Sequence, residues 1–291
     1  MSSYRGQRIN PTRFHHSQIK FYIILILVAL LMLFPILFIF SHAFKPLNEL
    51  FDYPPKFYVV NPTFDNFRNL FNTTSQSLVP FSRYLLNSII VTTFGVILTI
   101  IITTMTAYAL SKMKFKGRDA IFQINQTALM FVSTAVTIPR YLIISSLGLT
   151  NTILAHIVPL LALPVGLFLV KQFVDQVPNE LIESAHLDGA NEFQTYWHVV
   201  IPIIKPAIAT VAILSFQTFW NNVETSSIFV NDESKRTLAF YLNTLTSTSG
   251  NTVAGQGMAA AASLIMFVPN LIFFIIVQNS VMDTMAHSGI K

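Results

Sequence analysis

No cysteine occurs in the 291 residues, which excludes disulfides, thiolate nucleophiles and cysteine-ligated metals. Charge is nearly as scarce: Asp, Glu, Lys and Arg make up 11% of the chain, against roughly a quarter in a soluble globular domain. No glycine is followed by lysine, so the loop that cradles nucleotide phosphates is missing and the chain cannot itself be an ATPase. Neither a His-Glu-x-x-His zinc site nor a Gly-x-Ser-x-Gly nucleophile elbow is present.

What the chain has instead is apolar length. Hydrophobic residues make up 53% and the mean hydropathy is +0.57, the composition of an integral membrane protein. Runs of about 20 apolar residues suffice to cross the hydrocarbon core as helices. Six are predicted, giving an all-α fold: Phe21 to Phe40, Tyr84 to Leu110, Ala120 to Ile138, Asn151 to Val170, Ala207 to Val223 and Ala259 to Val281. Gln123, Asn125, Gln126 and Thr127 dilute the third run, and Gln217, Asn221 and Asn222 the fifth. Such residues point to faces turned into protein or water. The membrane domain covers 21–283, between an arm of residues 1–20 and a tail of residues 284–291.

Lysine and arginine set the orientation. Arg5, Arg8, Arg13 and Lys20 precede the first span, and Lys112, Lys114, Lys116 and Arg118 follow the second. Both flanks, and by parity both termini, are predicted cytoplasmic, so the net charge of +5 is topogenic and calls for no nucleic acid. Ser41-His42-Ala43 resembles a signal cleavage site, but the run before it exceeds the 7–15 apolar residues of a signal core; the segment is taken as an uncleaved first span. The external segment 43–83, with Pro46, Pro54, Pro55, Pro62 and Pro80, is predicted to be extended with short helices at most. The last external segment, 224–257, is rich in Ser, Thr, Asn and Gly from Asn231 and ends Gly255-Gln256-Gly257, the composition of a flexible loop. Met258 to Ser263 offers small residues for close helix packing. Pro139, Pro159, Pro164 and Pro269 fall in or near spans, where they kink helices.

One polar stretch stands between two apolar helices, inside the loop 171–206. Pro178 suits the first position of a helix, and Glu180 and Glu183 suit its positive N-terminal end. Gly189 can take the positive φ that ends it, the chain restarts near Asn191, and Pro202 and Pro206 break the second piece. The result is a helix-turn-helix beside the membrane. Glu183, Ala185, Gly189 and Pro202 are spaced as in the EAA loop of inner-membrane permease subunits of binding-protein-dependent ABC importers, with Ser184, Val199 and Ile201 standing for the other motif positions. The chain resembles this family. The resemblance extends through Asn87-Ser88, Ala107 to Leu110, Phe115 to Arg118 and Leu147 to Thr152. Asp188-Gly189-Ala190 favours the carbohydrate branch, and the short tail Ser288 to Lys291 is similar to that of one maltose-type subunit.

The resemblance implies a type I importer permease in the bacterial inner membrane. It would work with a second homologous permease, two copies of a cytoplasmic ATPase and an extracytoplasmic solute-binding protein, in contact with membrane lipid and with a carbohydrate as substrate. Glu183, Ser184, Ala185, Asp188, Gly189, Ala190, Ile201 and Pro202 would couple to the ATPase. The 231–257 loop would reach toward the binding protein. No cofactor is expected.

Phe219, Trp220, Asn221, Asn222 and Glu224 are the candidate sugar contacts, with Tyr141 a weaker one, because aromatic faces stack on pyranose rings and amides or carboxylates bind hydroxyls. Alternatively the same cluster is an interfacial aromatic belt. His186 and His198 read as surface or packing residues, and His15-His16 as part of the polar arm. A secondary transporter or channel is the main alternative, but it calls for ionisable residues inside the spans, and no span core contains Lys, Asp or Glu.

Overall fold

The computed structural model describes residues 18–54, 56–75, 79–249 and 253–288. The basic arm through Arg13 with its histidine pair, Pro55, residues 250–252 of the last external segment and the tail from Gly289 lie outside them. All regular structure among the described residues is helical, and the chain forms two compact units, residues 1–70 with 249–264 and residues 71–248 with 265–291.

In the first unit, α1 (Ile19–Phe44) presents its apolar side chains outward along most of its length, as a helix solvated by acyl chains does. Its end is buried at Ser41, His42 and Ala43. The segment that follows contains the short α2 (Leu47–Leu50) and α3 (Asp65–Ser75), in keeping with its proline content, but it is pinned rather than loose. The Asn66 amide donates to the carbonyls of Ala43 (3.0 Å) and Lys45 (2.7 Å), and Lys45 Nζ donates to the Lys56 carbonyl. Gly257 lies so close to Asn66 that a Cβ there would fall 2.5 Å from its Oδ1. Glu49 accepts the N–H groups of Val60 (3.0 Å) and Asn61 (2.7 Å), and these bonds, the one from Val60 foremost, hold its carboxyl below the ordinary glutamate value.

A carboxylate with a depressed folded pKa contributes stability above its unfolded value of about 4.3 and loses it as pH falls through the lower folded value. Glu49→Gln, which offers one acceptor where the carboxylate offers two, is therefore expected to raise deuterium uptake at Val60 and Asn61 at neutral pH. Unchanged uptake in exchange mass spectrometry would rule out the clamp.

The second unit is built on α4 (Phe81–Lys112). At 1.5 Å per residue its 32 residues reach about 48 Å, more than the ~30 Å hydrocarbon core, so its ends stand in the polar zones. Lys112 closes the last turn, where a cation complements the helix dipole. α8 (Pro164–Asp175) and α12 (Lys205–Trp220) both pack along α4. Their shared core includes Ala107, Val170, Val174, Val200 and Val211.

Among the described residues three helices are long and apolar enough to cross a membrane, α1, α4 and the 255–278 part of α15 (Val253–Ser288), and two bent pairs bring the number to five if each is one span. The predicted third span, 120–138, is not one helix. It divides into α5 (Arg118–Ala128), a turn at 129–132, a 3₁₀ turn (Ser133–Val136) and α6 (Thr137–Ser146). The polar run that diluted it is partly satisfied by protein, since Asn125 donates to the Pro164 carbonyl at 3.2 Å. The fourth span is α7 (Leu154–Ile157) with a 3₁₀ turn (Val158–Leu160), bent by 52° from α8. Pro164 lacks an N–H and pushes Leu163 out of helical φ/ψ. Pro269 lies inside α15 without ending it.

Segment 224–257, predicted to be external, is also more ordered than its composition suggests. It contains α13 (Glu224–Phe229), a 3₁₀ turn (Glu233–Lys235) and α14 (Leu238–Ser249), and Gly255 to Gly257 already belong to α15. Leu238, Ala239 and Leu242 are buried. The start of α4 holds the segment: Ser88 Oγ accepts the Leu238 N–H at 2.8 Å, and the Asn87 amide donates to the carbonyls of Ser234 and Arg236.

Candidate functional site

The polar stretch between α8 and α12 forms the helix-turn-helix its sequence predicts, with shifted boundaries. Pro178 is the N-cap rather than the first helical residue of α9 (Asn179–Leu187). The entry is fixed by Lys112, whose Nζ donates to the Val177 carbonyl (2.6 Å) and to Asn179 Oδ1 (2.9 Å). α9 closes with a Schellman motif, Gly189 N–H to the His186 carbonyl (3.0 Å) and Ala190 N–H to the Ala185 carbonyl (2.9 Å), with Gly189 at φ +85°. Two residues on, a capping box opens α10 (Glu192–Thr195): Asn191 and Gln194 each accept the other's backbone N–H at 2.9 Å.

Pro202 does not break the second piece. The chain widens into a π-turn (Tyr196–Val200) and continues as α11 (Ile201–Ile203). The wider turn gives room where the proline ring would collide with the carbonyl four residues back. The break falls at Ile204, one residue before α12, and the axis turns by 83° there.

Two contacts tie this unit to α4, and a third closes it on itself. Tyr108 donates to Glu192 Oε2 at 2.6 Å, Glu192 Oε1 lies 3.7 Å from His186 Nε2 across the turn, and Tyr196 shares a 2.8 Å bond with Thr104. Glu192 thus joins α4 to both arms of the helix-turn-helix. Glu183, Ser184, Asp188 and Gly189 are exposed, Ala185 and Ala190 half-buried. In the same stretch Leu187, Phe193 and Trp197 are 89%, 63% and 54% exposed, large apolar side chains of the kind contact surfaces use.

The candidate sugar-contact residues do not form one cluster. Phe219 is buried with its ring against Gly95 and beside Val91, Val96 and Ile157. Trp220 is buried too, donating to the Met266 carbonyl at 3.2 Å and stacking on Phe216. Asn222 serves α13, its Oδ1 accepting from the N–H and the hydroxyl of Thr225 at 2.8 and 2.7 Å. Asn221, exposed, exchanges amide bonds with Asn270 at 3.1 and 3.4 Å. Glu224 sits 3.4 Å from the Arg140 guanidinium and accepts from Thr137 at 3.2 Å, while neighbouring Tyr141 stacks on Phe229 with centroids 6.2 Å apart. Glu224, Arg140 and Tyr141 are thus brought into one region; Phe219 and Trp220 belong to internal packing.

A family model described as "Binding-protein-dependent transport system inner membrane component" matches residues 14–282. The chain belongs to this family. The permease is 30% identical over 277 residues to the inner membrane ABC transporter permease protein YcjP of Escherichia coli, covering 94% of this chain and 97% of that one. It is 28% identical over 271 residues to the arabinooligosaccharides transport system permease protein AraQ of Bacillus subtilis, covering 91% and 92%. Its fold matches a chain in the crystal structure of a bacterial ABC transporter involved in the import of the acidic polysaccharide alginate, with TM-score 0.76, 24% identity, and coverage of 92% of this chain and 99% of that one.

Several residues that organise the permease were not singled out in the sequence. His156 is completely buried, bonded through Nδ1 to Thr225 Oγ1 (2.8 Å) and through Nε2 to the Lys235 carbonyl (3.0 Å). Its place in an apolar run was the available signal, since an ionisable residue there is retained for a partner. Asn270 was visible in the same way. Arg140 carried no local signal, and the bond of Glu192 to α4 was equally hidden, because Glu224 and Tyr108 each lie 84 residues away.

Proposed function

We propose that this permease is one of two homologous membrane subunits of an ATP-driven oligosaccharide importer in a bacterial cytoplasmic membrane. Two copies of a separate ATPase would dock on the 178–206 helix-turn-helix, and a solute-binding protein would deliver the sugar on the opposite side. In this reading the chain crosses six times with both termini cytoplasmic, the α5–α6 pair serving as a broken third crossing. The observation that carries the reading is a helix-turn-helix with an exposed acid and exposed apolar side chains outward and a hydrogen-bonded root on α4. A movement of α9 and α10 would pass through Glu192 and Tyr108 into the end of α4 and, through Ile204, into α12. Arabinooligosaccharide transport by one relative supports the substrate class.

On the pathway side we assign sugar contact to Asn221, Glu224 and Tyr141, with Arg140 holding the carboxylate, Asn222 capping α13, and Phe219 and Trp220 fixing the helix end from behind. The test is detergent extraction of the tagged permease from native membranes followed by mass spectrometry. The expected result is recovery of a second permease and an ATPase. Reconstitution of that complex should then give ATP-dependent oligosaccharide uptake. A chain that emerges alone and transports without ATP would overturn the proposal in favour of a self-contained carrier.

A further inference from the structure

The turn between α4 and α5 holds four cations in seven residues, Lys112, Lys114, Lys116 and Arg118, with no acid among them. Lys112 is engaged with the entry of α9. Arg118 meets Asp119 at 3.2 Å, but that carboxylate is 85% exposed, and such surface pairs hold weakly. Lys114 and Lys116 are exposed and have no partner among the described residues. Gly117, at φ +91°, folds the turn back on itself, so that Lys114, Phe115, Arg118 and Asp119 line one cavity of about 430 Å³.

The apolar groups beside these cations are equally uncovered. Met113 and Phe115 are 37% and 43% exposed. The faces that lead into the turn, Ile101, Ile102 and Met105 on α4 and Ile121 and Ile124 on α5, are exposed as well. A five-residue connection between two such helices lies where acyl chains give way to water, and basic residues at that level meet the anionic surface of the leaflet. We infer that this turn binds the headgroup of an anionic phospholipid, Lys114 and Arg118 holding the phosphate in the cavity, Lys116 adding long-range attraction, and Phe115 packing on the root of the acyl chains. A soluble phosphate or an acidic protein surface would answer the cations but leave Phe115 and Met113 facing water. The inference needs the turn to lie at the membrane surface and is independent of the transported solute.

The test uses the whole transporter in nanodiscs of phosphatidylcholine with an admixture of phosphatidylglycerol, released for native mass spectrometry. Wild type should retain phosphatidylglycerol in preference to phosphatidylcholine, and added salt should lower that retention. The double variant K114Q/K116Q should bind phosphatidylglycerol about thirty-fold more weakly, two lysines at about 1 kcal/mol each converting at 1.4 kcal/mol per decade. K114R/K116R should keep it, as should R68Q, a charge change at an exposed arginine elsewhere. Equal retention in wild type and K114Q/K116Q, or displacement of the retained lipid by inorganic phosphate, would overturn the inference. So would loss of the ATPase from K114Q/K116Q in phosphatidylcholine alone, which would make the turn a protein contact. If the glutamine variant does not fold, salt-insensitive retention by wild type overturns it instead.

Discussion

Leucine at position 95 is expected to prevent recovery of folded protein altogether. Gly95 lies within α4 where α12 crosses it, and a Cβ there would fall 2.6 Å from the Phe219 ring, closer than any real carbon contact. The ring cannot simply swing away, because it is 2% exposed and enclosed by Val91, Val96 and Ile157. Even Gly95→Ala should cost about 1–3 kcal/mol from overpacking, offset by up to about 1 kcal/mol from the better helix propensity of alanine. The leucine side chain must push the two helices apart, and with them the core that holds the helix-turn-helix. A double-mutant cycle isolates the cause. Phe219→Ala alone should cost about 3–5 kcal/mol, but in that background Gly95→Ala should cost nothing further, a coupling above 1 kcal/mol. Melting curves in detergent for the four proteins would show it. Additive losses would mean that the Gly95–Phe219 contact does not set the α4–α12 distance.

The same contact shows what a sequence can and cannot reveal. Gly95 and Phe219 look unrelated along the chain, one an ordinary glycine in an apolar run and the other part of an aromatic group that invites a sugar-stacking role. Only the crossing of α4 and α12 turns that aromatic inward. Local chemistry was legible: Gly189 as the helix stop and Asn191 as the restart, whereas the polar residues of the third run point only to a face turned into protein or water and not to a break. The stop and the restart are written in neighbouring residues, through backbone conformation and capping. Proline was less legible, since its consequence depends on what the backbone does around it: Pro164 bends the fourth span, Pro202 is absorbed by a π-turn, and Pro269 leaves α15 continuous. The last segment predicted to be external misled through composition. Its Ser, Thr and Asn residues from Asn231 on suggest flexibility, yet Thr237 is buried and hydrogen-bonded to Ser226.

Glu183→Arg is expected to abolish ATP-driven uptake while leaving the permease as stable as wild type. The two halves of that statement rest on one observation: Glu183 is exposed and has no partner among the described residues. A substitution that breaks no internal contact should change stability by no more than about 0.5 kcal/mol. If the carboxylate pairs with a cation of a docked ATPase, reversal replaces attraction with repulsion inside an interface. Losing such a pair there costs about 3 kcal/mol or more, at least a hundred-fold in binding. Gly189 gives an independent control. No atom lies within 4 Å of a Cβ placed there, so any cost of substitution is conformational, from its φ of +85°. Gly189→Val should therefore cost about 1–2 kcal/mol and impair coupling by disturbing the turn, whereas Gly189→Asn, which tolerates the left-handed region, should retain most uptake. Uptake, melting temperature and ATPase co-purification measured together distinguish the cases. A Glu183→Arg protein that melts normally and still imports would show that this helix-turn-helix is not the ATPase contact, and one that melts early would give Glu183 a role inside the fold.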